Sequence, residues 1–201
     1  MANNLTRRTI ITTLPAAAAL ALLSGPAMAL NVDQARRLVD SLVAEVNAVI
    51  SSGQSEASMF KSFESIFVRF ADVRYIAQSS LGPAGRQATK AQMDAYVKAF
   101  QGYISRKYGR RFREFIGGKI EVTGARPLKS FFEVTSMALL KGQSPFEVRW
   151  HVFDKSGRDL FFNIIIEGVN MLAAERTEIG AMLDKRKGDI SRLTADLKAL
   201  G

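Results

Sequence analysis

The residue pattern after position 30 predicts an α+β fold: several helices packed on an antiparallel sheet of four strands or slightly more. Two observations carry this. Apolar residues recur every three to four positions up to about residue 118, alternate one in two over residues 119–167, then return to helical spacing. The alternating stretch is cut by turn-forming segments at residues 124–127, 141–144 and 154–157, connections too short for parallel crossovers.

The first helix opens at Asn31-x-x-Gln34, a capping box, and presents Ala35, Leu38, Val39, Leu42, Val46 and Val49 on one face before Ser51-Ser52-Gly53. A second helix over residues 55–70 carries Phe60, Phe63, Ile66 and Phe67 on its apolar side. Residues 72–81 predict a short helix closed by Gly82-Pro83. Thr89 caps a long helix with the stripe Met93, Tyr96, Val97, Phe100, Ile104 and Tyr108, continuing through Arg110-Arg111-Phe112-Arg113 to Gly117-Gly118.

Strands are predicted at residues 119–123, 131–140, 146–153 and 160–167. Strict alternation puts Val148, Trp150 and Val152 on one face and Glu147, Arg149 and His151 on the other. In the fourth strand it groups Phe162 with Ile164 and Ile166, opposite Phe161, Asn163 and Ile165. A helix over residues 171–183 follows, and Gly188 separates a last amphipathic helix bearing Ile190, Leu193, Leu197 and Leu200.

The first 29 residues predict export. Arg7-Arg8 opens an apolar run that ends at Ala27-Met28-Ala29, an A-x-A cleavage pattern, so residues 1–29 are read as a cleaved signal and residues 30–201 as one domain. Thr6-Arg7-Arg8-Thr9 followed by Ile10-Ile11 fits the twin-arginine pattern, which favours that route over the general secretory one. After Leu30 no apolar run is long enough to span a bilayer.

Removing the signal takes Arg7 and Arg8 and no acid, which lowers the net charge from +9 to +7. That favours anionic partners; outside the cytoplasm, nucleic acid is not expected among them. With no cysteine, thiol catalysis and thiolate metal sites are excluded. The one histidine, His151, has no second ligand nearby in the sequence, and it reads as a sheet residue rather than a metal ligand or general base. No G-x-S-x-G elbow or phosphate-binding P-loop occurs, and Asp154 and Asp159 flank a predicted turn. No catalytic set, metal site or cofactor is expected.

Several segments resemble the MlaC family of periplasmic phospholipid carriers. Phe70-Ala71-Asp72-Val73-Arg74-Tyr75-Ile76-Ala77 with Leu81-Gly82 is similar to that family's helix ending in Leu-Gly. Thr89-Lys90-Ala91-Gln92, Tyr96-Val97-Lys98-Ala99-Phe100 and Tyr103 with Arg106-Lys107-Tyr108 resemble its next helix. The most specific likeness is Phe162-Asn163-Ile164-Ile165-Ile166-Glu167-Gly168-Val169-Asn170-Met171, a strand-to-helix signature followed by Arg176. Asn163 departs from the family's usual Asp and Asn170 from its Ser, and Pro83-Ala84-Gly85-Arg86 replaces an aromatic segment.

The resemblance implies an NTF2-like cone with a helical extension, enclosing a cavity for acyl chains. The cargo would be phospholipid, carried by a monomer between an outer-membrane lipoprotein complex and the MCE-type component of an inner-membrane ABC transporter. The sheet wall would be Val134, Val148, Trp150, Val152, Phe162, Ile164 and Ile166. The helical wall would be Phe100, Ile104, Tyr108 and Phe112, with Val169 and Met171 near the closing helix. Read without the resemblance, the same residues fill one another as an ordinary core. The basic residues Arg106, Lys107, Arg110, Arg111 and Arg113 fit a headgroup or partner contact near the mouth, or a solvated helix face. Two competing readings remain at this level: an NTF2-like isomerase or dehydratase, and a periplasmic protein-interaction module.

Overall fold

The computed structural model describes residues 30–109 and 115–200. The predicted signal, Phe112 and the basic residues Arg110, Arg111 and Arg113 lie outside the described residues. Among those described, seven helices accompany one antiparallel five-stranded sheet, which is the predicted α+β class with one strand more than the four read from the sequence.

Helix α1, Val32–Ser51, starts at the predicted box: the Asn31 side chain accepts from Gln34 N and the Gln34 side chain accepts from Asn31 N, both at 2.9 Å. Its buried face, from Ala35 to Ile50, lies on the sheet. Asn47 fixes it there by donating to the Ile120 carbonyl and accepting from the Ile120 amide, each at 2.9 Å. A side-chain amide thus pairs the backbone of an edge strand that would otherwise be open.

Helix α2, Glu56–Phe70, begins at Ser55 and packs on α1. Asp72 caps α3, Val73–Leu81, while its own amide donates to the Phe161 carbonyl at 2.8 Å, tying the helix start to the sheet. Pro83–Gln87 forms a short α4 where the sequence predicts only the close of the preceding helix; Pro83 at its first turn needs no intrahelical N–H partner. Between α3 and α4, Gly82 has φ +59°, and a Cβ there would meet the Arg176 guanidinium at 3.3 Å, so glycine suits both the backbone and the packing. Helix α5, Lys90–Gly109, starts with reciprocal Thr89–Gln92 bonds and packs on α7.

Strands β1 (Lys119–Pro127), β2 (Phe132–Leu139), β3 (Phe146–Phe153), β4 (Leu160–Ile166) and β5 (Val169–Asn170) run in sequence order as a meander. β5 pairs only Ile165 and Ile166 and is the strand the sequence did not reveal. Bulges interrupt the register at residues 122–124 of β1 and opposite His151–Val152 of β3. The second one corrects the predicted alternation. His151 pairs with Asn163 but Val152 with Phe161, so Phe162 is the extra residue and Phe161 rotates onto the Trp150 face. Helix α6, Met171–Lys185, is capped by Asn170, whose side chain accepts from Ala173 N. A Ser there would cap by the same bond, so Asn170 keeps the helix start that the resemblance leads one to expect. Asp189 caps α7, Ile190–Ala199.

Candidate functional site

Between the Trp150 face of the sheet and the helices lies a cavity of about 190 Å³. β3 and β4 supply one wall with Val148, Trp150, Phe161, Ile164 and Ile166. Facing it are Leu42 and Val46 of α1, then Phe63, Ile66 and Phe67 of α2. Ile104 and Tyr108 of α5 and Met171, Leu172 and Glu175 of α6 close the remaining sides, with Ile76, Ile120 and Phe115 at the corners. An engineered apolar hole of about 150 Å³ stays dry and binds benzene, so this one is large enough to hold a hydrocarbon.

Of the residues expected to form the walls, Ile104, Tyr108, Val148, Trp150, Ile164, Ile166 and Met171 border the cavity. Phe162 also borders it, but its ring packs against Tyr75, Phe131, His151 and Phe153 on the other side of the sheet, because of the bulge. Phe100, Val134 and Val152 are fully buried in packed core away from the cavity. Val169 points into solvent from β5, 56% exposed. Arg106 does not stand free at a mouth: its guanidinium donates to the Leu197 and Leu200 carbonyls, capping the C-terminal end of α7.

The α1 and α2 contributions were assigned from sequence to helix stripes but not to the cavity. Glu175 is not among the wall residues the sequence predicts. The spacing Leu172, Glu175, Ile179, Leu183 places a carboxylate within the buried stripe of α6, and that misfit was the available signal.

Nearly every polar group of the wall is satisfied by the protein itself. Trp150 Nε1 donates to Ser136 Oγ at 2.9 Å, and Ser105 Oγ donates to the Gln101 carbonyl at 2.9 Å. Asn163 Oδ1 accepts from Leu172 N at 3.1 Å, while its Nδ2 donates to His151 Nδ1 at 3.3 Å. Glu175 Oε1 accepts from Lys107 Nζ at 2.6 Å and from the Tyr108 hydroxyl. Its other oxygen, Oε2, is the one buried side-chain polar atom among the described residues with no hydrogen-bond partner.

Lys107 is held between Glu175 and Glu178, and Tyr103 donates to Glu178 Oε1 at 2.6 Å. Burial acts to lower the Lys107 pKa, but hydrogen bonds to both carboxylates outweigh it and keep the ammonium above the ordinary lysine range. Burial, and then the bond to Glu175, pushes the Tyr108 hydroxyl well above its usual value, so it stays a donor.

His151 faces away from the cavity. Its Nε2 lies 3.2 Å from Glu133 Oε2, and Glu133, 3% exposed, also takes Arg126 Nη2 at 2.6 Å. Burial lowers the His151 pKa despite the carboxylate. Among the described residues, no group of three or more His, Cys, Asp or Glu side chains is placed to hold a metal, and no helix is long and apolar enough to cross a membrane.

A solved structure of a phospholipid-binding protein from Ralstonia solanacearum, in complex with a phospholipid, superimposes with a TM-score of 0.71 at 20% identity. The match covers 82% of this chain and 95% of that one, and at such identity it establishes a shared fold. The family described as MlaC protein matches residues 36–199, which span everything from α1 to α7 that builds the cavity. The chain therefore belongs to the MlaC family.

Proposed function

We propose that this protein is a periplasmic phospholipid carrier that encloses acyl chain in the cavity between sheet and helices. The observation that carries the reading is the cavity itself: an apolar space lined by both layers of the fold rather than filled by them. Family membership and the phospholipid bound by the Ralstonia protein support it. Each buried methylene contributes about 0.8 kcal/mol, so a diacyl lipid with about 30 of them resists entering water by more than about 20 kcal/mol. A carrier must supply an equally dry enclosure and needs no reactive group.

The cavity of about 190 Å³ is smaller than the roughly 300–1,000 Å³ typical of sites for drug-sized ligands. Two acyl chains therefore require the walls to part on loading, with the hollow seen here as the point of entry. Removal of residues 1–29 at Ala27-Met28-Ala29 would leave an ammonium on Leu30, whose nitrogen lies 3.3 Å from Asp154 Oδ2. In this reading a monomer receives and delivers lipid at an outer-membrane lipoprotein complex and at the MCE-type component of an inner-membrane ABC transporter. A binding role is preferred over an NTF2-like enzyme because His151 points away from the cavity and is engaged by Glu133 and Asn163.

Native mass spectrometry of protein secreted to the periplasm and purified without detergent tests this. A mass increment matching phospholipid is expected; a bare chain that also takes up none from vesicles overturns the reading.

A further inference from the structure

Resting on the carrier reading, we infer that Glu175 Oε2 is an acceptor for a hydrogen-bond donor on the cargo, a hydroxyl or a primary ammonium. The carrier would then prefer lipids that bear such a group.

Glu175 is 3% exposed and sits in the cavity wall on α6, among apolar neighbours. Its two oxygens are unequal. Oε1 is claimed by Lys107 and Tyr108 from α5, which fixes the carboxylate and leaves Oε2 without a partner. Buried acceptors are seldom left so, because an unmade bond costs the full desolvation of the group.

Water is a poor candidate for the missing partner. A buried water needs two to four polar contacts, and the donors of this wall, Trp150 Nε1–H and the Ser105 and Tyr108 hydroxyls, are already spent on protein acceptors. A lipid brings its own donor, and the hydrocarbon around Oε2 would shield the bond from competing solvent. The position also suits a headgroup rather than a chain end. The neighbouring Lys107 and Glu178 side chains are 29% and 48% exposed, so solvent lies directly behind this part of the wall.

Lipid headgroups separate the chemistry. Phosphatidylethanolamine offers N–H donors with positive charge, phosphatidylglycerol offers O–H donors without it, and phosphatidylcholine has the charge but no donor. The purified protein is exchanged against vesicles containing the three in equal amounts with matched acyl chains, and the bound lipids are counted by native mass spectrometry. Phosphatidylethanolamine, phosphatidylglycerol or both should exceed phosphatidylcholine by about tenfold, and which of them does so names the donor.

In Glu175→Gln the amide oxygen keeps Lys107 and Tyr108 and the amide nitrogen replaces Oε2, so donor would face donor and the ratio should fall toward one. Equal loading by the wild-type protein, a preference for phosphatidylcholine, or a ratio unaltered in Glu175→Gln overturns the inference. The wild-type ratio decides even if the variant does not fold. Indiscriminate loading would leave the carrier reading standing, whereas no loading of any lipid sinks both.

Discussion

Phe100 and Val148 are both buried, at 0% and 4% exposure, yet Phe100 packs between Tyr96 and Tyr103 while Val148 borders a void. One half of this interior behaves as close-packed core and the other as a lined hollow. The difference is not hydrophobicity, since apolar side chains dominate both halves. It lies in whether opposing side chains meet. On the packed side, α5 presses directly on α7, and Tyr96 reaches Ser80 of α3 with a buried hydrogen bond of 2.8 Å. On the hollow side, α1 and α2 are held across from β3 and β4 without their side chains filling the gap.

The comparison breaks most sharply by truncating the packed side. Phe100→Ala should destabilise the fold by about 3–5 kcal/mol, the range for large aromatic truncations in rigid cores. For a chain of this size that is a fall in Tm of roughly 10 °C, readable by thermal denaturation. Lipid uptake well below the new Tm should persist, because Phe100 does not border the cavity. A Tm within a degree or two of wild type would mean that this half is not close-packed.

Filling the hollow side should have the opposite sign. Val148→Phe places a ring in space larger than the roughly 150 Å³ that admits benzene, and should raise stability by about 0.5–2 kcal/mol. The same variant should lose lipid uptake from vesicles. Stabilisation with loss of binding is the signature of a cavity kept open for cargo. Destabilisation by overpacking would instead show that the void is too narrow to matter.

Much of the architecture was legible because it depends on local rules. Asn31 with Gln34 and Thr89 announced helix starts as caps, apolar spacing placed the helices over residues 55–70 and 72–81, and the switch to alternation at Lys119 announced the sheet. The cavity was only half legible. Periodicity says which face of an element is buried, and so selected Phe100 and Ile104 equally; it cannot say whether another side chain arrives opposite. The bulge that moves Phe161 next to Trp150, at 5.6 Å between rings, is a matter of pairing between strands and leaves no mark in β4 alone. Glu175 was visible in principle, as a charge out of place in a buried stripe, but its meaning depended on Lys107 and Tyr108 some 70 residues away.

The outer face of the sheet gives the smallest effect. His151 sits between Glu133, which accepts from Nε2–H, and Asn163, whose Nδ2 donates to Nδ1. Asn163 cannot turn over to help, since its oxygen is committed to Leu172 N. Protonating Nδ1 would set donor against donor, which adds to burial in disfavouring the imidazolium. Because the folded pKa lies below the unfolded value of about 6.5, the unfolded chain binds more protons in the interval between them. This contribution to stability is whole above about pH 6.5 and is lost as pH falls through the folded value. Thermal midpoints measured from pH 7 to pH 5 should therefore decline, and His151→Gln should flatten the decline. Glu133 does not blur the result: Arg126 and His151 hold its pKa below the ordinary range against the effect of burial, so its own loss begins only at lower pH. Asn163→Asp supplies an acceptor to Nδ1–H while still accepting from Leu172, which raises the imidazole pKa and should reverse the slope. A slope equal in wild type, His151→Gln and Asn163→Asp would place the pH sensitivity elsewhere in the molecule.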